Sequence, residues 1–320
     1  MKTAQHTKAP PGGDDRDSSA SLLGLPASEA VARLVETNGP RLYSLASRLC
    51  SNASDAEDMV QEVFLQAYRK WHTFKGRSNP GTWLYAIAAR SCKSRLRRKG
   101  GIDRRMPAMS QLMPWAESQV ARLPRESTNP GRPSPVEESV RRESERAVHQ
   151  AILTLPEHFR VPLVLKEMLE LSLEDVAAAL GIKPETVKTR VHRARLLLRK
   201  AVLDRLPSRE APKPSYEKQV CLDLLKAKLD AMDKGRGFPI GQSVVCERCR
   251  AVFAELDLTQ NACLGLATGS LPDRTRAAIL KAIEDAAGEE IPVTPSGRRA
   301  RRPQKTPAHA GRRARAQQTD

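Results

Sequence analysis

The chain has 320 residues, too many for one ordinary domain, so two or three small domains joined by linkers are expected. Lys and Arg outnumber Asp and Glu by 54 to 37, and the resulting net charge of +17 favours a polyanionic partner such as nucleic acid. Aromatics make up only 4%, Leu, Ala, Arg and Glu recur at helical spacing, and there is no run of 18 apolar residues; this argues for helical bundles rather than sheet, no membrane-spanning helix is expected, and the fold class predicted is all-α.

The first residues, MKTAQHTKAPPGGDDRDSS, are polar without an apolar core, which reads as no secretion signal, and residues 1–27 read as a disordered arm. Six cysteines in a chain of this length do not suggest a secreted disulfide scaffold, so a cytoplasmic protein is expected. Ser28 to Thr37 carries Ala30, Val31, Leu34 and Val35 on one helical face; Gly39-Pro40 is expected to end that helix and start another bearing Leu42, Leu45, Ala46 and Leu49. Asp55 to Trp71, DAEDMVQEVFLQAYRKW, is an amphipathic helix with Met59, Val60, Val63 and Phe64 inward. Its polar face, with Asp58, Gln61 and Glu62, is either solvated or docks on a basic partner helix. The loop TFKGRSNPG follows, and then a helix from Thr82 to Lys99 with Leu84, Ile87, Ala88, Cys92 and Leu96 inward and Arg90, Lys93, Arg95, Arg97, Arg98 and Lys99 as a basic surface. Trp83 and Tyr85 beside the loop would suit stacking on unpaired bases while cations hold phosphates, or would be core.

Residues 101–138, rich in Pro and Gly, form a linker, in which Met106, Met109, Met113 and Trp115 mark either a docking element or a chance cluster. A helix through Ala147, Val148, Ala151 and Ile152 and another through Phe159, Leu163, Val164 and Met168 form a floor for the next segment, with Pro162 tolerated in the first turns. That segment, Leu171 to Arg199, reads as a helix-turn-helix: Ser172 and Asp175 cap the first helix, Gly181 ends it, Pro184 opens the second, and Val187, Val191, Ala194 and Leu198 face inward. Lys188, Thr189, His192, Arg193, Arg195 and Arg199 face outward, early residues toward base edges and later arginines toward phosphates of a major groove; the competing reading is a solvated αα-hairpin.

Beyond it, residues 206–216 are a linker and 217–290 a small helical domain with Cys221, Cys246 and Cys249. Cys-x2-Cys lets two thiolates reach one tetrahedral ion from a single turn, with Cys263 or an outside group as a fourth ligand; redox sensing by Cys246 and Cys249, or inert buried cysteines, are the alternatives. A further helix follows Asp273, and residues 291–320 are a disordered basic tail suited to salt-dependent DNA affinity. No nucleotide loop, nucleophile elbow or metal-hydrolase spacing occurs, so an enzyme is not expected.

Two segments carry one resemblance: DAEDMVQEVFLQAYRKWHTFKGRSNPGTWLYAIAARS is similar to region 2, and TLPEHFRVPLVLKEMLELSLEDVAAALGIKPETVKTRVHRARLLL to region 4, of the extracytoplasmic-function (ECF) sigma factors of bacterial RNA polymerase. The resemblance implies region 2 over 28–100 and region 4 over 139–205, promoter DNA and RNA polymerase core as partners, and no required cofactor. It implies that Asp58, Gln61 and Glu62 meet the clamp helices of the largest subunit. It implies further that a flipped minus-ten base is held around Phe74, Lys75, Arg77, Ser78 and Asn79, with Trp83, Tyr85 and Arg90 adjoining. The family commonly has Asn at the position of Arg90, which leaves the preferred base open. Lys188, Thr189, Arg190, His192 and Arg193 are implied for the minus-thirty-five element, with Arg190, Arg195 and Arg199 meeting phosphates or bracing neighbours, and the linker for a path near the polymerase active centre. The cysteine domain resembles a zinc-binding anti-sigma domain, except that Gln242 stands where the pattern has His; this implies zinc on Cys221, Cys246 and Cys249 and regulation within the chain, and leaves room for a separate anti-sigma factor. The rival reading is a helix-turn-helix regulator that binds DNA without polymerase.

Overall fold

The computed structural model describes residues 21–50, 52–76, 78–98, 112, 114–122, 135–267 and 269–288. Arg77, Met106, Met109, Met113, most of the N-terminal arm and of the linker, and the basic tail lie outside the described residues, as do the side chains of Lys93, Arg95, Arg97 and Arg98. The described chain is helical, with one two-stranded ribbon. No helix among the described residues is long and apolar enough to cross a membrane.

Helix α1 runs Ala27–Leu49 without interruption, where a break at Gly39-Pro40 was expected. Pro40 forfeits one hydrogen bond, but Val31 and Leu34 before it and Leu42 and Leu45 after it are all buried in one core, and that burial outweighs the local defect. Helix α2 spans Ala53–Lys70, started by the Asn52 side chain, whose Oδ1 accepts the Asp55 N–H at 2.7 Å. Helix α3, Pro80–Arg98, completes a three-helix bundle around Phe64, Met59 and Leu84.

Helices α4 (Pro135–Thr154) and α5 (Glu157–Glu167) carry the helix-turn-helix, α6 (Leu173–Leu180) and α7 (Pro184–Leu203). Ser172 Oγ accepts the Asp175 N–H at 3.0 Å and bonds the Asp175 carboxylate at 2.7 Å, a closed cap. Gly181 ends α6 at φ 64°, the left-handed conformation that only glycine adopts without a Cβ penalty.

Three more helices follow: α8 (Lys218–Asp233), α9 (Glu247–Gly265) and α10 (Asp273–Gly288). They do not stand apart. Helix α9 packs on α4 and α7, and α10 lies across α1 and α2. Helix α3 of the first bundle meets α6 of the second, so one continuous apolar core joins both bundles to Ala262, Cys263, Ile279 and Ile283. A second core gathers Cys221, Leu225, Leu229, Cys246, Cys249 and Phe253 with Leu196 of α7. Part of the expected flexible linker is ordered: β1 (Gln119–Ala121) pairs antiparallel with β2 (Ser208–Glu210), Val120 opposite Arg209.

Candidate nucleic-acid interface

The second helix of a helix-turn-helix reads DNA with the face turned away from its own bundle. In α7 that face is covered in part. Lys188 Nζ lies 2.8 Å from Asp230 Oδ1, His192 Nε2 is 2.7 Å from Asp233 Oδ2, and Arg195 Nη1 is 2.6 Å from Asp233 Oδ1, all through the end of α8. Arg195 also pairs with Glu167 at 2.6 Å. One turn further, Arg199 is held by Glu255 of α9 at 2.6 Å and by Glu117 of the linker at 2.6 Å. Thr189 Oγ1 donates to its own helix, to the Glu185 carbonyl at 2.9 Å, and Arg190 and Arg193 are half-buried.

Burial sets the character of these pairs. Arg195 and Arg199 are 2% and 1% exposed, so their charges exist there only because carboxylates face them. Burial opposes ionisation of Asp233, yet the His192 hydrogen bond and the Arg195 charge outweigh it and hold the carboxyl below the ordinary aspartate value. The hydrogen bond to Asp230 raises the Lys188 ammonium, keeping it charged. His192, Asp230 and Asp233 place three ligand atoms within 4.8 Å of one another, but Lys188 and Arg195 already neutralise them, so a metal ion would have to displace two cations.

The first bundle presents the other sequence-predicted residues. Asp58 is exposed on α2; Gln61 and Glu62 are half-buried beside it, Glu62 accepting from Gln66 at 2.9 Å. One position before Asp58, Glu57 is paired with Arg274 of α10 at 2.6 Å, and Glu36 with Arg276 at 2.8 Å. Phe74 stacks on Trp71 with centroids 5.1 Å apart and Trp83 closes the cluster, so these rings face each other instead of solvent. Tyr85 is buried, its hydroxyl donating to Asn38 at 3.2 Å, and burial pushes its pKa up to about 12. Lys75, Ser78 and Arg90 remain exposed, while Asn79 is half-buried, its Oδ1 accepting the Gly81 N–H at 2.7 Å. Asn79 and Tyr85 border a cleft of about 570 Å³ whose opposite wall is Leu169 to Ser172, under the helix-turn-helix.

Cys221, Cys246 and Cys249 share the second core. Burial opposes ionisation of Cys246, the residue before α9, but the backbone N–H groups of Cys249, Ser215 and Arg248 outweigh it and bring the thiol below its usual value. Burial and the neighbouring Cys246 and Cys221 push Cys249 up. Cys263 belongs to the other core and is 1% exposed, so it does not complete a ligand set with the three. Residues that sequence reasoning missed are Asp230, Asp233, Glu117, Arg248 and Glu255. An acidic pair three residues apart at a helix end, in a chain of net charge +17, was the one available signal for the first two.

A helix-turn-helix with a basic reading helix, joined to a three-helix bundle with an acidic outer helix, defines a DNA-binding transcription protein. Residues 34–102 match the family model of Sigma-70 region 2, and residues 145–198 that of Sigma-70, region 4. The chain is 32% identical over 179 residues to the ECF RNA polymerase sigma factor SigW of Bacillus subtilis, covering 55% of this chain and 90% of that protein. It is 35% identical over 162 residues to the RNA polymerase sigma-H factor of Pseudomonas aeruginosa, covering 51% and 80%. Among solved structures, the sigma factor RpoE in complex with the anti-sigma factor NepR from Bartonella quintana aligns at 25% identity and a TM-score of 0.37, covering 53% of this chain and 94% of that one. This chain belongs to the ECF sigma factors of the sigma-70 family.

Proposed function

We propose that the chain directs RNA polymerase core to promoters through two grips, region 2 and region 4, and that the residues after about Pro207 hold it in a closed form that cannot grip. Asp58, Gln61 and Glu62 meet the polymerase clamp helices; the segment around Lys75, Ser78, Asn79 and Arg90 holds the minus-ten strand; Lys188, Thr189, Arg190, His192 and Arg193 read the minus-thirty-five element. The observation that carries the closed form is the occupation of α7 by Asp230 and Asp233, carboxylates placed where DNA would offer phosphates. A second support is distance. Two elements read along one duplex lie apart at about 3.4 Å of axis per base pair, whereas α3 of one grip and α6 of the other touch. The extension thus acts within the chain as an anti-sigma factor would act from outside.

The test is in-vitro transcription with purified core polymerase, comparing the full chain with a chain ending at Pro207. Greater output from the shorter chain is expected, and equal output across promoters refutes the closed form. Charge reversal at Asp58 and Glu62 should abolish core binding while sparing DNA binding by the isolated region 4. Unaffected core binding would instead favour a regulator that binds DNA alone. Cys221, Cys246 and Cys249 are proposed as thiolate ligands for zinc, supported by their place in one core and by the donors that favour the Cys246 thiolate; their three sulfurs do not all lie within 4.8 Å of one another, so the ion would have to draw them together. The described residues supply no fourth ligand, so this part requires an outside group; less than half an equivalent of zinc in chain purified without chelator removes it.

A further inference from the structure

The ordered piece of the linker is held by buried charged groups of the extension and of α7. Arg248 of α9 is 7% exposed and donates to three main-chain carbonyls: Pro212 at 3.0 Å, Pro114 at 3.1 Å and Glu117. Glu255, two turns along the same helix and 3% exposed, accepts the Ala121 N–H at 2.5 Å with one oxygen and Arg199 Nε at 2.6 Å with the other. Arg199 in turn grips both oxygens of Glu117, at 3.1 and 2.6 Å. The strand continues the hold: β1 pairs with β2, and the Arg122 N–H donates to the Pro207 carbonyl at 2.7 Å. Pro114 and Trp115 close a slot whose floor is Cys221, Cys249 and Phe253, with Lys218 Nζ 4.3 Å above the Trp115 ring.

A buried guanidinium and a buried carboxylate spent on main-chain atoms, together with strand pairing, are how a protein binds an extended peptide. We infer that the extension contains a peptide-binding clasp, built from Arg248, Glu255 and β2, whose ligand is the chain's own linker from Pro114 to Arg122. This inference rests on the cis-regulated sigma reading above, which it deepens: the extension restrains the connection between the two grips as well as covering one of them. The restraint is geometric. Between Arg98 and Pro135 lie 36 residues, which can span at most about 125 Å whatever their conformation. With the clasp closed, 15 residues join Arg98 to Pro114, and the end of region 2 stays within about 55 Å of the clasp.

The clasp can be tested apart from the covered reading helix. Trp115→Ala changes only the ligand side, and Arg248→Met only the receptor side. In full-length Trp115→Ala chain, exchange of the Ala121 and Arg122 amides should quicken at least about tenfold relative to the parent. A synthetic peptide of residues 110–124 should then bind this variant, but neither the parent, whose clasp is filled, nor the Arg248→Met chain. Amides at 121 and 122 that are unprotected in the parent, or a peptide that fails to bind Trp115→Ala, overturn the inference. The underlying reading fails separately: if removing everything after Pro207 leaves affinity for a minus-thirty-five duplex unchanged, α7 is not masked, whatever the peptide does.

Discussion

Replacing Asp233 by alanine should unmask the reading helix. The carboxylate is 6% exposed and bonds two residues of α7, His192 at 2.7 Å and Arg195 at 2.6 Å. Removing one partner of a buried pair costs about 3–5 kcal/mol; Arg195 keeps Glu167 at 2.6 Å, which puts the loss at the lower end, about 3 kcal/mol. At 1.4 kcal/mol per decade that moves the ratio of open to closed chain roughly 100-fold. Adding Asp230→Ala contributes no more than a few-fold, because the Lys188 pair is 43% and 30% exposed and water already screens it. Fluorescence anisotropy of a minus-thirty-five duplex, at one fixed salt concentration, reads the change as apparent affinity. The gain is capped by the chain ending at Pro207, since affinity stops rising once the competent form predominates. If Asp233→Ala binds no more tightly than the parent while the shortened chain binds 100-fold more tightly, the mask resides elsewhere and the ion-pair reasoning is wrong.

Gly39 sits where α1 meets the extension, and a Cβ there would lie 2.9 Å from Leu271 Cδ2. Gly39→Val should overpack that contact by about 1–3 kcal/mol and quicken amide exchange in α10, with α2 unaffected. Ser172→Ala removes the cap of α6 and should lower stability to urea by about 1 kcal/mol; no change in midpoint would mean the cap is replaced by solvent. Asp233 also sets an acid limit. Its pKa is lowered on folding, so its contribution to closure is complete above the ordinary value of 3.8 and is lost as pH falls through the lowered one. Exchange protection of α8 should therefore be independent of this carboxyl at neutral pH and fail only in strong acid; loss of protection that tracks its protonation near pH 5 would contradict the shift.

Much of the helical framework was legible because its signals are local. The Ser172–Asp175 cap, Gly181 and the Val187–Val191–Ala194–Leu198 stripe sit within a few residues of what they specify. The same reasoning failed at Gly39-Pro40, where breakers were weighed without the core that rewards continuity. At the candidate site, composition showed that Arg195 and Arg199 were charged and on the far side of the apolar stripe. It could not show that this side would be buried. Phe74 and Tyr85 were legible as aromatics near a loop, and whether they faced bases or each other depended on Trp71 and Asn38 from other elements.

Sequence alone thus determined most of the helices, the cap and stop of α6, the order of the two bundles and the motifs that place the chain among sigma factors. Those properties are carried by repeats of three and four residues and by motif spacing. Tertiary structure decided which charges face solvent. Arg195 meets Asp233 from 38 residues away, Arg199 meets Glu117 from 82, and Glu255 meets Ala121 from 134. No local window contains such partners, and a basic helix surface reads the same whether its counter-charge is a phosphate or a carboxylate folded back from the same chain.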